Sequence, residues 1–465
     1  MLSALRRKYI GDRAFYSVMF ALAIPLIIQQ GITSMVSLLD NLMVGALGEI
    51  PLSSVAISNQ LMSVFNLALF GALSAASIFG AQFFGTGDFG GMRDTFRFRL
   101  LVGAGLTAAA IAVFWFWGDR LSLLFLNNAN NTPEVIEQTL THAIRYLRIA
   151  VWGLIPFLFS QVYSGMLRES GETLHPMIAS VAAILTNLAL NYCLIYGKFG
   201  FPRMGTAGAA LATVIARVLE AGYIVLYTHL QAQKYPYILG AYRSMRIPLA
   251  LCRRIIVTGT PLMLNETIWS LGMTAINGCY AYRGLEVVAA VNIVNTAWNL
   301  FCIMMFAMGS VAAIMIGREL GADRLESARD LSRKLTFFTV VVHIVIGLLL
   351  VLTAGAIPLL YEVGDGVREM AAQMLRIQAL FLPVHAFIHV TYFTLRSGGK
   401  TLITFFFDCV YTCVVPLGVA FLLCRLTDLP IVTCYFFVHL TDLIKMVVGA
   451  FLLRSGCWMK RIIDQ

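Results

Sequence analysis

Ionisable and amide side chains inside long apolar runs are the first candidates for chemistry, because lipid penalises each of them unless it faces a cavity or a partner. Two sets occur. The first is Asp40 with Asn187, Asn191 and Thr213. Asn187 and Asn191 are four residues apart, so they share one helix face and can offer oxygens to a hard cation or hydrogen bonds to a protonated carboxyl. The second is Glu266 with His385 and Asp408, and His389 repeats the face of His385 one turn on. Imidazole changes charge near neutral pH, which suits a proton-linked or substrate-contacting cavity. A metal held by His385, His389 and a carboxylate is an alternative, although no further ligand pattern accompanies it. For both sets the competing reading is a hydrogen-bonded packing knot. Two more charge pairs inside apolar runs, Arg217 with Glu220 and Asp442 with Lys445, have i, i+3 spacing and are expected to neutralise themselves.

Familiar reaction motifs are missing. FFGTGD and ELGADR read as helix C-caps and turns, and no Lys-Ser/Thr follows either, so ATP coupling is unsupported. HExxH and GxSxG are absent, which argues against an intramembrane protease or hydrolase. No cofactor is expected.

The elements that must position these residues are membrane helices. Apolar residues make up 59% of the chain and charged residues only 12%, and the mean hydropathy is +0.80, which excludes a soluble globular domain. The apolar runs predict twelve spans, at 15–45, 53–82, 96–117, 138–167, 175–196, 206–227, 252–281, 287–316, 331–354, 370–395, 402–424 and 430–453. A net charge of +10 could suggest nucleic acid, but the Lys and Arg residues crowd into alternate connections. Arg93, Arg97, Arg99, Arg243, Arg246, Arg329 and Arg333 belong to the rich set, whereas Arg120, Lys198 and Arg283 are among the few in the other. By the positive-inside rule the rich set and both termini are cytoplasmic. Arg6, Arg7 and Lys8 precede a run too long for a signal peptide, so the first helix should stay attached. The nine cysteines show no paired spacing and read as small core residues without disulfides.

Depth follows from the spans at about 1.5 Å per helical residue. Asp40, Asn191 and Thr213 then lie about 8–12 Å below the outer edge, with Asn187 one turn deeper. Glu266, His385 and Asp408 all fall about 24 Å deep, close to mid-membrane, and are expected to meet there.

The chain also repeats itself. Pro25, Asn59 and Gly85 recur as Pro261, Asn295 and Gly321, each 236 positions later. At a shorter offset, YLRI at Tyr146 resembles MLRI at Met374, and MLRESGET at Met166 resembles TLRSGGKT at Thr394. Six helices in the same order in each half make the repeats parallel, related by an axis along the membrane normal, with substrate expected between them. The division reads as a six-helix lobe over 1–228, a cytoplasmic connection over 229–250 and a second six-helix lobe over 251–465. Pro25 and Pro261, each inside an apolar span, are expected to bend their helices. At the common offset Asp40 corresponds to Ile276 and Glu266 to Gln30, so each lobe has its own polar chemistry.

The order of Pro25, GALGEIPLSSVAISNQ, GAQFFGTGD, YLRI…LRESGET, NLALNYCLIYGKFGFPRMGTAGAALAT and IGRELGADR resembles the multidrug and toxic compound extrusion (MATE) family over essentially the whole chain. The resemblance implies an all-α polytopic membrane protein with twelve transmembrane helices in two pseudo-symmetric six-helix lobes. It also implies a secondary antiporter that expels organic, often cationic, compounds against proton or sodium entry, as a monomer in the cell membrane. In that family Asp40, Asn187, Asn191 and Thr213 resemble the cation site of the N-terminal lobe. Asn191 stands where an aspartate is usual, which removes a negative charge and favours a proton on Asp40 over sodium. Glu266 resembles the span 7 glutamate of the sodium-coupled branch, but His385 falls where that branch has an aspartate. A lipid-linked saccharide flippase of the related superfamily usually has fourteen spans and fits less well. An intramembrane metalloenzyme is the alternative from a different class.

Overall fold

Without water, an apolar run can close its backbone hydrogen bonds only as a helix or a closed barrel, and among the described residues every regular element is helical. The computed structural model describes residues 9–126 and 132–463; Arg6, Arg7 and Lys8 lie outside them. Among the described residues, eleven segments are long and apolar enough to cross a membrane. They are α1 (Arg13–Gly45), α2 (Glu49–Thr86), α3 (Phe89–Leu126), α4 with α5 (Pro133–Ala150 and Leu154–Glu169), α6 (Leu174–Tyr196) and α7 (Thr206–Leu230), followed by five in the second half. The span between the two groups is α8 (Leu249–Ala281), long enough at 33 residues but diluted in hydropathy by Asn265, Glu266 and its threonines. The expected eighth span is divided at Cys302 into α9 (Leu285–Phe301) and α10 (Ile303–Gly321). Then come α11 (Leu325–Thr353), α12 (Asp365–Ser397), α13 and α14 (Thr401–Phe405 and Tyr411–Leu426) and α15 and α16 (Ile431–Leu440 and Asp442–Ser455). The protein is an all-α polytopic membrane protein. Pro25 and Pro261 sit inside continuous helices, where each removes one intrahelical donor. All nine cysteines are free.

By contact the described residues group into two compact units, and two short stretches of the first half, 9–23 and 81–88, go with the second. One unit holds residues 24–80 and 89–253. Small residues let its helices approach: Ala207, Gly208, Ala209, Ala210 and Ala212 of α7 are buried, and a Cβ on Gly208 would come within 2.7 Å of the Leu194 carbonyl oxygen of α6. The hydroxyls of Ser54 and Ser58 donate to the carbonyls of Thr139 and Ala143 at 3.0 and 3.2 Å, stitching α2 to α4. The 229–250 connection is docked, not loose, with Tyr235, Tyr237, Ile238 and Ala241 buried. Arg97 of α3 donates to the carbonyls of Ala241 and Gly240 at 2.9 and 3.0 Å.

The other unit holds the remaining residues. Rings of Tyr16 and Phe20 at the start of α1 pack on Phe338 of α11. The repeated glycines have a common use: a Cβ on Gly85 would run into the Arg318 carbonyl oxygen, and one on Gly321 into that of Gln82. Gln82 then caps the C-terminal segment, donating to the Ser397 carbonyl at 3.1 Å and accepting from the Ile462 amide at 2.8 Å.

Candidate functional site

The close contact of α6 with α7 sets the first cluster. Asn187 and Asn191 are one turn apart on α6 and buried, and Thr213 faces them from α7. Asn191 donates to Asp40 Oδ1 of α1 at 2.8 Å. The Asn187 amide can be assigned two ways by exchange of its oxygen and nitrogen, and the second satisfies its neighbours better. In one, Asn191 donates to Asn187 Oδ1 at 3.2 Å and Asn187 donates to Thr213 Oγ1 at 3.3 Å, which passes its own proton to the Ala209 carbonyl at 3.0 Å. In the other, the Asn187 amide nitrogen donates to Asp40 Oδ2 at 3.1 Å and its oxygen accepts from Thr213. Asp40 thus has amide partners, and among the described residues no ion pair reaches it. The sequence places Asp40, Asn187, Asn191 and Thr213 together, and so does the structure.

The second cluster is a relay. Lys445 of α16 donates to Asp408 Oδ1 at 2.7 Å. Asn265 of α8 donates to Asp408 Oδ2 at 3.0 Å and to the Tyr392 hydroxyl at 3.3 Å. Tyr392 of α12 in turn donates to Glu266 Oε1 at 3.2 Å. Asp408 lies in a π-helical turn, Phe406–Val410, between α13 and α14, a local widening of the helix that recurs at functional sites. Lys445 also lines a cavity of about 270 Å³ with Phe406, Phe407 and Tyr411.

His385 does not join Glu266 and Asp408. Its Nε2 meets Asp442 Oδ2 at 2.9 Å, and His439 Nδ1 lies 3.5 Å from the same oxygen. His389, although one turn from His385, packs between the rings of Phe306 and Phe393 with its Nε2 buried and unbonded. Asp442 and Lys445 are not the self-neutralising pair that their spacing suggested, since each reaches a different neighbouring helix. Nor is Arg217 ion-paired with Glu220 among the described residues: it donates to the Gly153 carbonyl at 3.4 Å and lies 4.7 Å over the Phe157 ring. A cavity of about 580 Å³ lined by Arg329, Arg333, Phe337, Arg454 and Trp458 shares no residue with these clusters.

Sequence reasoning missed Asn265, Tyr392 and His439 as members. Asn265, next to Glu266 in an apolar helix, carried the same signal as Asp40, whereas Tyr392 and His439 had none beyond polarity. It also missed Glu169 in the LRESGET block, which forms a buried ion pair with Arg99 at 2.6 Å.

A profile of the MatE family matches residues 25–193 and 261–422, one stretch in each repeat. The chain is 23% identical over 448 residues to a probable multidrug resistance protein NorM of Thermotoga maritima, covering 95% of this chain and 93% of that protein. It is 25% identical over 366 residues to the multidrug resistance protein MdtK of Edwardsiella ictaluri, 78% of each chain. A mutant of the Vibrio cholerae MATE transporter VcmN shares the fold with a TM-score of 0.86 at 17% identity, over 97% of this chain and 99% of that one. An outward-facing multidrug resistance MATE family transporter of the MOP superfamily gives 0.84 at 19% identity, over 96% of this chain and 97% of that one. With one family profile matching both repeats and covering most of the chain, this protein belongs to the MATE family of membrane transporters.

Proposed function

We propose that the protein is a secondary active efflux antiporter that expels organic, often cationic, small molecules in exchange for protons by alternating access. The reading takes from its NorM and MdtK relatives only the multidrug resistance in their names. We place it in the cell membrane as a monomer, since each polar cluster is completed within one chain, with both termini and the 229–250 connection on the basic, cytoplasmic side.

One observation supports the coupling role of Asp40: among the described residues its carboxyl is held by neutral amides, Asn191 at 2.8 Å and Asn187 at 3.1 Å, and such an amide can turn over when the carboxyl gains a proton. An ionised Asp40 accepts from both asparagines. A protonated Asp40 can donate to Asn187 Oδ1, which frees the amide nitrogen to bond Thr213 instead. Protonation therefore reverses the direction of two hydrogen bonds, Asp40–Asn187 between α1 and α6 and Asn187–Thr213 between α6 and α7. An antiporter needs such a link, because the ion must stabilise one facing state more than the other.

The test is uptake of a cationic drug into proteoliposomes under an imposed pH gradient, with a sodium gradient as the comparison. Asp40→Asn should leave drug binding measurable and abolish pH-driven uptake, while Glu266→Gln should slow transport with little loss of folded protein. If Asp40→Asn keeps the wild-type pH dependence and Glu266→Gln loses it, coupling belongs to the relay of the other unit. Uptake driven by sodium alone would replace the proton with sodium.

A further inference from the structure

Two imidazoles converge on one carboxylate oxygen of Asp442. His385 Nε2 and His439 Nδ1 both aim at one carboxylate oxygen, at 2.9 and 3.5 Å, and the three atoms lie within 4.8 Å of one another. The first contact is a hydrogen bond; the second is too long for a good one and leaves the buried His439 Nδ1 with only this polar contact. A zinc ion bonded at about 2.0–2.1 Å holds tetrahedral ligands about 3.3 Å apart. The two separations from Asp442 Oδ2, 2.9 and 3.5 Å, bracket that value, and the two imidazole nitrogens lie within 4.8 Å of each other. The geometry points to a transition-metal site at His385, His439 and Asp442, taking an imidazole-favouring divalent ion such as Zn2+ or Co2+.

The fold builds this triad deliberately enough to keep it rigid. His439 lies in the last turn of α15 and Asp442 begins α16, and the junction between them at Thr441 is held by the Tyr411 hydroxyl on the Thr441 carbonyl at 2.5 Å. Being i and i+3 across that junction, the two side chains point the same way. His385 comes from α12, fixed edge-on to Trp298 with ring centroids 5.1 Å apart, and His439 is flanked by Phe381 and Tyr435. Two imidazoles and one carboxylate suit Zn2+, Co2+ or Ni2+ better than Mg2+ or Ca2+, which prefer oxygen. Three protein ligands leave at least one position open to water or a small anion. A bound ion would cross-link α12 to the α15–α16 junction. His389 takes no part, since its ring is held elsewhere, and the relay of Asp408 and Lys445 already neutralises itself.

The experiment uses the full-length, tag-free protein in detergent after treatment with a chelator. Titration with Co2+ should give one bound ion per chain, with the visible d–d absorption of a four- or five-coordinate centre, and Zn2+ should displace it and raise the unfolding temperature. His439→Gln should abolish both the absorption and the Zn2+-dependent rise, as should Asp442→Asn if it folds. His142→Gln, a histidine of the other unit, should change neither. No stoichiometric Co2+ binding, or binding that survives His439→Gln, would overturn the assignment and leave the triad as a hydrogen-bonded contact. Because bound metal is read directly, the result is independent of whether the protein transports drugs.

Discussion

Glu169→Gln should unfold the first unit far more readily than its small change in volume suggests. Arg99 and Glu169 are 2% and 3% exposed at the side chain and 2.6 Å apart, and Ser77 also donates to Glu169 at 2.6 Å. At an effective dielectric of about 20, opposite charges at that separation attract by about 6 kcal/mol. Desolvation of the two ions offsets much of this, so the pair contributes little net stability as a unit. Removing one charge is different. The glutamine still fills the site and can accept from Ser77, but the guanidinium stays buried without its counter-ion, at about 3–5 kcal/mol. The double variant Arg99→Met with Glu169→Leu removes both charges and should lose less than Glu169→Gln alone. Midpoints of thermal unfolding, followed by fluorescence-detected size exclusion in detergent, measure all three. A Glu169→Gln protein that melts like wild type, or a double variant worse than the single, would refute the argument that an unpaired charge is the dominant penalty.

Gly321→Ala should lower the yield of folded protein, because its Cβ meets the Gln82 carbonyl rather than a movable side chain; overpacking of this kind typically costs about 1–3 kcal/mol, and a wild-type yield would show that the helices can part. The tether of the 229–250 connection should depend on pH only at the extremes. Burial pushes the Glu172 carboxyl up, but the hydrogen bond and charge of Lys234 outweigh it and leave it below its ordinary 4.5, while the hydrogen bond to Glu172 raises Lys234 above 10.5. Stability from the pair is therefore full between those two values, lost as pH falls through the lowered value of Glu172 or rises through the raised value of Lys234. With Lys234 57% exposed, the effect stays below about 1 kcal/mol. Hydrogen exchange at Ile238 and Leu239, corrected for intrinsic rates, should speed up only outside that window, and in Lys234→Ala at every pH. Orientation is tested by Gln233→Cys, which should label with an impermeant maleimide only from the cytoplasmic side; labelling from outside would invert the proposed topology.

The sequence by itself determined the membrane class, the spans, the internal repeat and the first polar cluster. Each follows from a one-dimensional rule: hydrocarbon thickness sets run length, and helical periodicity puts Asn187 and Asn191 on one face at the depth of Asp40 and Thr213. Even the repeated glycines Gly85 and Gly321 were visible, although only the structure shows that each abuts the backbone of the repeat-related stretch. Partner choice in the second half was not legible. Helical spacing says which side chains share a face, but the face a helix turns to its neighbours depends on how it is wound and broken. The π-helical turn at Phe406–Val410 presents Asp408 to Asn265 and Lys445, and His439 and Asp442 meet His385 of α12 while Lys445 meets Asp408. Tertiary packing decided those rotations, because a buried charge settles on the partner that the neighbouring helix brings within hydrogen-bond reach and not on the one its own spacing offers.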